Sequence, residues 1–424
     1  MRLRIDINKT WLYVFIIVSI TDFYIVLLGS SIKILYLFSV PVLAFALVNV
    51  RKKGDLLFEL FLLGWYLSFF LAMPHLISFH DWLRILIGQC VLFLIYRAMC
   101  VIKDIWYYER LFLFMLVLVA TIGILQVALY FLVGSTWGVS HYNEFIGIPR
   151  PSSLTIEPDW YGLLCMVSSL WFLTNIVSRK YIYTRRKDGI CLMLSMCGMF
   201  LSMARAAWVG FFFGCLYQIM SNIPRKSKHR MVKVAIMASI VLALFMLMLL
   251  FYSEELFEKV LNRILINKTI STDGGSWLSR QYAIEIMWSY FLLHPLTGNG
   301  AGGMGAITSN RELLQDMGYM YYVNQGRGTT NIILGNLFDV GIVGTLFLTA
   351  AFIRIFVMMN ARYKKTNDHS FIIYASIILA MLVDFQFNNG LRQVYVWIIL
   401  GFTMNRLTRS NAIIKRGKST SQYA

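Results

Sequence analysis

The chain has 424 residues, of which 58% are hydrophobic and only 14% charged, against roughly 25% charged in soluble domains. A soluble fold of this length could not hide so much apolar surface in one core, so lipid is the expected solvent. The net charge of +18 does not signal nucleic acid, because Lys and Arg stand in short clusters between apolar runs and no soluble basic domain exists to carry such a face.

The basic start, Met1 to Lys9, precedes an apolar run and shows no small-residue cleavage site. It reads as the cytoplasmic end of a retained first helix. A spanning helix needs about 20 largely apolar residues. That rule predicts spans near 11–29, 34–50, 55–73, 82–99, 111–133, 159–178, 189–203, 206–222, 232–252, 332–353, 370–386 and 393–406. Within 189–222 the run Ser202-Met203-Ala204-Arg205-Ala206 interrupts one long apolar stretch. Its two short halves are expected to be two thin spans, or one span with a re-entrant piece. The expected fold class is therefore an all-α integral membrane protein of about twelve helices.

Orientation follows from the basic residues. With the N-terminus in the cytoplasm, 28 of the 39 Lys and Arg residues fall on the cytoplasmic side, and the skew repeats loop after loop. Both termini are then cytoplasmic. The chain divides into N-terminal helices (1–133), central helices with a first outer segment (134–252), a large outer loop (253–331), and C-terminal helices with a basic tail (332–424). In the large loop, SWLSRQYAIEIMWSYFLL is expected as an amphipathic helix along the membrane surface. The six cysteines all lie in or beside apolar stretches, with neither a disulfide framework nor metal-ligand spacing.

Cations on the outer side run against the positive-inside rule and need a reason. Eight of the 11 there are arginines: Arg84, Arg150, Arg205, Arg263, Arg280, Arg311, Arg327 and Arg392. A guanidinium fork suits phosphate oxygens, and it also serves to anchor a helix end or to pair with Glu157, Glu285 or Glu312. Arg150 and Arg205 stand out because each sits where an outer segment meets a span. Asp384, near the outer end of a span, is costly in lipid and so a functional candidate, and Asp339 is placed to pair with an arginine of the bundle.

Three motifs follow one another. Arg150-Pro151 leads to Glu157-Pro158-Asp159-Trp160-Tyr161-Gly162. Ser202-Met203-Ala204-Arg205-Ala206-Ala207 follows at the helix junction. The large loop then carries Ser279-Arg280, His294-Pro295-Leu296-Thr297-Gly298-Asn299-Gly300 with Gly302-Gly303, and Thr330-Asn331, before Gly341-Ile342-Val343-Gly344 in the next helix. The glycines near 300 read as a tight turn, with an anion-binding nest as the alternative. Gly341 and Gly344 read as sites of close helix approach.

In order and spacing these motifs resemble the O-antigen polymerase and ligase superfamily over about residues 150–345. The resemblance implies an enzyme of the bacterial inner membrane working on its outer face. There it would join polyprenyl-pyrophosphate-linked repeat units into O-antigen, capsule or exopolysaccharide. It implies undecaprenyl-pyrophosphate-linked glycans and membrane lipid as partners, with a chain-length regulator and a flippase beside them, and no nucleic acid. Fixed arginines, here Arg150, Arg205 and Arg280, would stabilise the departing diphosphate, and Glu157 would take the acceptor's proton. Arg263, Arg311, Arg327, His294 and Asn331 complete the expected substrate-binding set, and neither a cofactor nor a metal is expected. Where the ligases carry histidine before the asparagine, this chain has Thr330, which favours a polymerase. A ligase of the same superfamily and a lipid-linked oligosaccharide flippase are the competing expectations.

Overall fold

A computed structural model describes residues 9–21, 24–27, 30–48, 55–71, 79–142, 149–155, 157–221, 232, 276–310 and 331–420. Among them are thirteen α-helices: α1 (Lys9–Ser19), α2 (Ile34–Val48), α3 (Leu56–Leu71), α4 (Phe79–Val101), α5 (Ile105–Val133), α6 (Pro158–Ser178), α7 (Arg185–Leu201), α8 (Arg205–Met220), α9 (Ser276–Leu293), α10 (Gly303–Ser309), α11 (Ile332–Thr366), α12 (Ser370–Asp384) and α13 (Val394–Thr420). A helix stands at each expected span that falls among these residues, whereas the expected span 232–252 and the side chains of Arg263, Arg280, Arg311 and Arg327 lie outside the described set. By length and composition α5, α6 and α11 can cross a membrane, and shorter apolar helices accompany them. The architecture is that of a helical membrane protein.

Two expected span boundaries need correction. Two short antiparallel pairs accompany the helices, Tyr24–Leu27 with Ser30–Lys33 and Val139–Tyr142 with Pro149–Pro151. The first pair cuts short the span expected over 11–29. Helix α1 stops at Ser19, where the Ser19 and Thr21 hydroxyls bond the Ile16 and Val18 carbonyls, and the β-branched run that follows favours an extended strand. The stretch 189–222 follows the first of its two expected forms, two helices, α7 and α8, joined by a turn in which Met203 takes φ +53°. Helix α11 runs to Thr366, well beyond the expected end at 353.

With lipid as solvent, helices associate through close packing and polar contacts rather than hydrophobic exclusion. Gly210 and Gly214 of α8 lie against the Ala380 and Ser376 carbonyls of α12, and Gln218 Nε2 donates to Ser376 Oγ at 2.7 Å. Helix α6 is central, buried almost throughout, and its Ser168 meets Ser195 of α7 at 2.9 Å. On α3, Trp65 stacks on Trp397 of α13 and donates to Asn336 of α11. Leucines and phenylalanines such as Leu60, Leu67, Phe114 and Leu132 remain exposed on the outside of the bundle, where acyl chains would cover them.

Charged pairs sort to the two ends. At one end Arg354 pairs with Asp55, Arg97 with Glu59, and Arg406 with Glu109, which also accepts from Tyr374. At the other, Arg150 pairs with Asp159 and Arg392 with Asp339. The first end also bears the basic clusters, so its charge pattern agrees with a cytoplasmic placement. On that orientation a cysteine placed at the exposed Asn310 will react with an impermeant maleimide on intact cells. Labelling only after lysis would reverse the topology.

Glu109 is only 2% exposed, and Arg406 and Tyr374 both depend on it. Glu109→Ala is expected to cost about 3 kcal/mol or more, because it leaves a cation without its partner between α5 and α13. Thermal unfolding in detergent will read the loss, and adding Arg406→Met should recover much of it.

Candidate functional site

The end opposite the basic clusters collects the three sequence motifs through a chain of direct contacts. The first is joined to the second by Arg150. Its Nε donates to the Ser202 carbonyl at 3.0 Å, and a terminal nitrogen donates to Asp159 Oδ1 at 2.9 Å. Gly162 brings α6 so close to the junction that a Cβ there would lie 2.6 Å from Ser202 Oγ and from the Ala204 Cβ. Arg150 is thus a clamp across the Ser202–Arg205 turn. Its acidic partner is Asp159, while Glu157, the expected base, is exposed and stands at the start of α6 in extended geometry.

Helix α8 then carries the second motif to α12. The contacts of Gly210 with Ala380 and of Gly214 with Ser376 fix an antiparallel register. Extended outward, that register sets Arg205, the first residue of α8, level with Asp384, the last of α12. The small residues lower in each helix set this approach.

Past Asp384 the chain meets the start of α11. The Ile332 amide donates to the Phe385 carbonyl at 2.8 Å, and Asn331 Nδ2 donates to the Gln386 carbonyl at 3.0 Å. Asn331 also caps α11, since its side-chain oxygen accepts from the Leu334 amide. Asparagine serves well here, offering an acceptor to its own helix and a donor to its neighbour.

The third motif accounts for itself at Gly341. There α11 is broken: Gly341 adopts φ +69°, ψ −171°, a region only glycine visits freely. In an unbroken helix the Ile342 amide would donate to the Phe338 carbonyl. Instead Ile342 donates to the Pro295 carbonyl at 2.8 Å, while Phe338 and Asp339 carbonyls accept from the Asn299 and Gly300 amides at 2.7 and 3.0 Å. The loop 294–300 fills the break. A Cβ on Gly298 would sit 2.6 Å from the Asp339 and Val340 backbone, and one on Gly341 would strike the Leu296 carbonyl. This corrects one expectation: Gly341 admits a loop rather than a helix. Gly344 does serve helix approach, facing Ser68 of α3. The turn reading of the loop glycines fits the geometry, and the anion nest does not, because the Asn299 and Gly300 amides are taken up by α11. His294 opens this turn, its carbonyl accepting from the Gly298 amide.

Helix α9 leads into the loop and buries Ala283, Ile286 and Met287 against Met304, Ile307 and Phe338. It exposes Ile284, Trp288 and Leu292 at helical spacing, in keeping with an apolar face at the membrane surface. Arg280 lies on this helix.

Residues 190–349, which hold the second and third motifs, match the family model described as O-antigen ligase. That segment belongs to the O-antigen polymerase and ligase superfamily. The motif Arg150–Gly162 falls outside the matched segment and is tied to it by the Arg150–Ser202 contact. No curated protein matches the chain.

Two features of this end escaped the sequence motifs. Gln386 holds Asn331, and Arg392, on a single 3-10 turn (Gly390–Arg392), reaches Asp339 in the broken helix. For Arg392 one signal was present: it is an arginine on the side where positive charge is scarce.

Proposed function

We propose that the protein is a polymerase that joins polyprenyl-pyrophosphate-linked oligosaccharide repeat units on the outer face of a bacterial inner membrane. The observation that carries this reading is the convergence at one end of the bundle of the ordered superfamily motifs, through contacts running from Arg150 to Ser202, from α8 to α12, and from α12 to Asn331. In the reaction the terminal hydroxyl of the acceptor repeat attacks the anomeric carbon of the donor. A new C–O bond forms, the bond to the lipid diphosphate breaks, and the diphosphate leaves with the electron pair. Glu157, exposed at this end, takes the hydroxyl proton. Arg205 and Arg280 hold the departing diphosphate, with Arg263, Arg311 and Arg327 of the large loop binding the glycan donor or acceptor. Arg150 supports this set by fixing the turn that presents Arg205.

The polymerase is preferred to a ligase on Thr330, which stands beside Asn331 where ligases of the superfamily carry histidine. The test is to supply the purified protein with lipid-linked repeat units in liposomes. Products lengthened by whole repeats support the polymerase. Transfer only to a lipid A-core acceptor would make it a ligase, and translocation without bond formation a flippase.

A further inference from the structure

Asp339 is 4% exposed, seven residues into α11 and so roughly 10 Å along the helix from its start. One carboxylate oxygen, Oδ2, faces Arg392 at 3.5 Å, and the other, Oδ1, has no hydrogen-bond donor among the described residues. Buried carboxylate oxygens are normally satisfied, so an orphan at this position calls for an explanation. Arg392 itself is not buried: its side chain is 39% exposed. A pair built only for stability would be short and bidentate, as the Arg354–Asp55 fork is at the other end, where two nitrogens meet two oxygens. Here a single long contact engages one edge of a five-donor guanidinium, the only hydrogen bond of its side chain among the described residues.

The surroundings fix where that guanidinium stands. Asn389 caps the turn that carries Arg392, and Trp397 Nε1 bonds the Leu391 carbonyl at 2.7 Å, so the backbone beneath the arginine is pinned. Asp339 sits two residues before the helix break, where the loop 294–300 brings non-helical backbone to the same depth. In a membrane protein, irregular backbone at depth is either packed in protein or beside a polar cavity. Here the loop packs the break, and the cation beside it is held in place with its side chain still 39% exposed.

We propose that Arg392 is a further pyrophosphate-binding residue of this end, and that Asp339 is its positioning residue. The inference rests on the polymerase reading for the source of the diphosphate. The same chemistry would also recognise the phosphate of an anionic phospholipid headgroup. Arg392 binds the anion through the donors that Asp339 leaves free, and the buried carboxylate holds the guanidinium plane toward the outer surface.

The test uses the full chain in detergent, with farnesyl pyrophosphate as a soluble probe, farnesol as its uncharged control and phosphatidylglycerol as the headgroup competitor. Wild-type protein should bind the pyrophosphate and not the alcohol. Arg392→Ala should weaken that binding about tenfold or more, the usual effect of one charge-assisted contact, and Arg392→Lys should restore only part of it. Asp339→Asn should weaken binding in the wild-type background and add nothing in Arg392→Ala, which a merely structural aspartate would not do. Thermal unfolding of each variant shows whether it is folded. Undiminished binding by folded Arg392→Ala would overturn the proposal while leaving the polymerase reading intact. A wild-type protein that ignores the prenyl pyrophosphate would overturn both. Competition by phosphatidylglycerol at equal concentration, lost in Arg392→Ala, would keep the anion site and assign it to lipid headgroups instead.

Discussion

Arg205→Lys will give a folded, normally abundant protein that makes almost no long glycan. The substitution keeps the charge and the stem, so any loss reports on the shape of the charged group. As the glycosidic bond breaks, negative charge grows on the diphosphate, and a guanidinium can hold two oxygens where an ammonium holds one. Removing one donor from a preorganised site costs on the order of 10²–10³ in rate. Folding should be spared, because the α8–α12 contact depends on Gly210 and Gly214 rather than on the tip. Glu157→Gln is the companion variant. A general base contributes about 10²–10⁴, and the amide cannot accept the proton. Donor-lipid binding, abundance and glycan length must be followed together. A folded Glu157→Gln protein making full-length polymer would remove Glu157 from the mechanism and turn attention to Asp384.

The second large effect is on stability. Gly341→Ala will unfold or trap the protein, while two control glycines will not. Gly341 occupies φ +69°, ψ −171°, where a side chain costs about 1–3 kcal/mol of backbone strain alone. The added Cβ also meets the Leu296 carbonyl, which cannot withdraw without breaking the Ile342 to Pro295 bond. Gly344→Ala keeps helical backbone and presses on the Val340 and Ser68 side chains, an overpacking cost of about 1–3 kcal/mol. Gly305→Ala meets nothing within 4 Å in α10 and should stabilise by a few tenths to about 1 kcal/mol. Melting temperatures in the order Gly305→Ala, wild type, Gly344→Ala, Gly341→Ala are the expected result. A Gly341→Ala protein as stable as wild type would mean the break is not required.

Much of this was legible in the sequence, because the bilayer makes a simple demand. A run such as Ile105–Val133 has no alternative to a helix, and clusters such as Arg51-Lys52-Lys53 mark the ends. The Ser202–Arg205 interruption was visible, and Thr21 with its neighbours was not read as a stop, since an apolar run hides a β-branched stretch that prefers to extend. Contacts distant in sequence were out of reach. Asp55 and Arg354 are 299 positions apart, and neither residue alone says which helix it will meet. The site followed the same division. Arg150 was identified as important from its place at the edge of a span, while its partner Asp159 was not singled out, because only the turn of α6 shows which nearby acid meets the guanidinium. Gly341 was seen as special for the wrong reason: a glycine that admits a helix and one that admits a loop look alike in one dimension.

The exchange of bonds at that break also bears on how the chain is assembled. Residues 294–300 are made before 338–342, yet neither segment can complete its bonds until they meet. When α11 first enters the bilayer, Phe338 and Asp339 have only their own helix to turn to, so an unbroken helix is the form that leaves no carbonyl bare in hydrocarbon. The finished arrangement requires Asn299, Gly300 and Pro295 to arrive from the aqueous side and take over those partners. A helix inserted closed would then have to be opened by the segment that docks against it. Maturation of this end would then be a step separate from insertion, complete only when residues 294–300 have met 338–342.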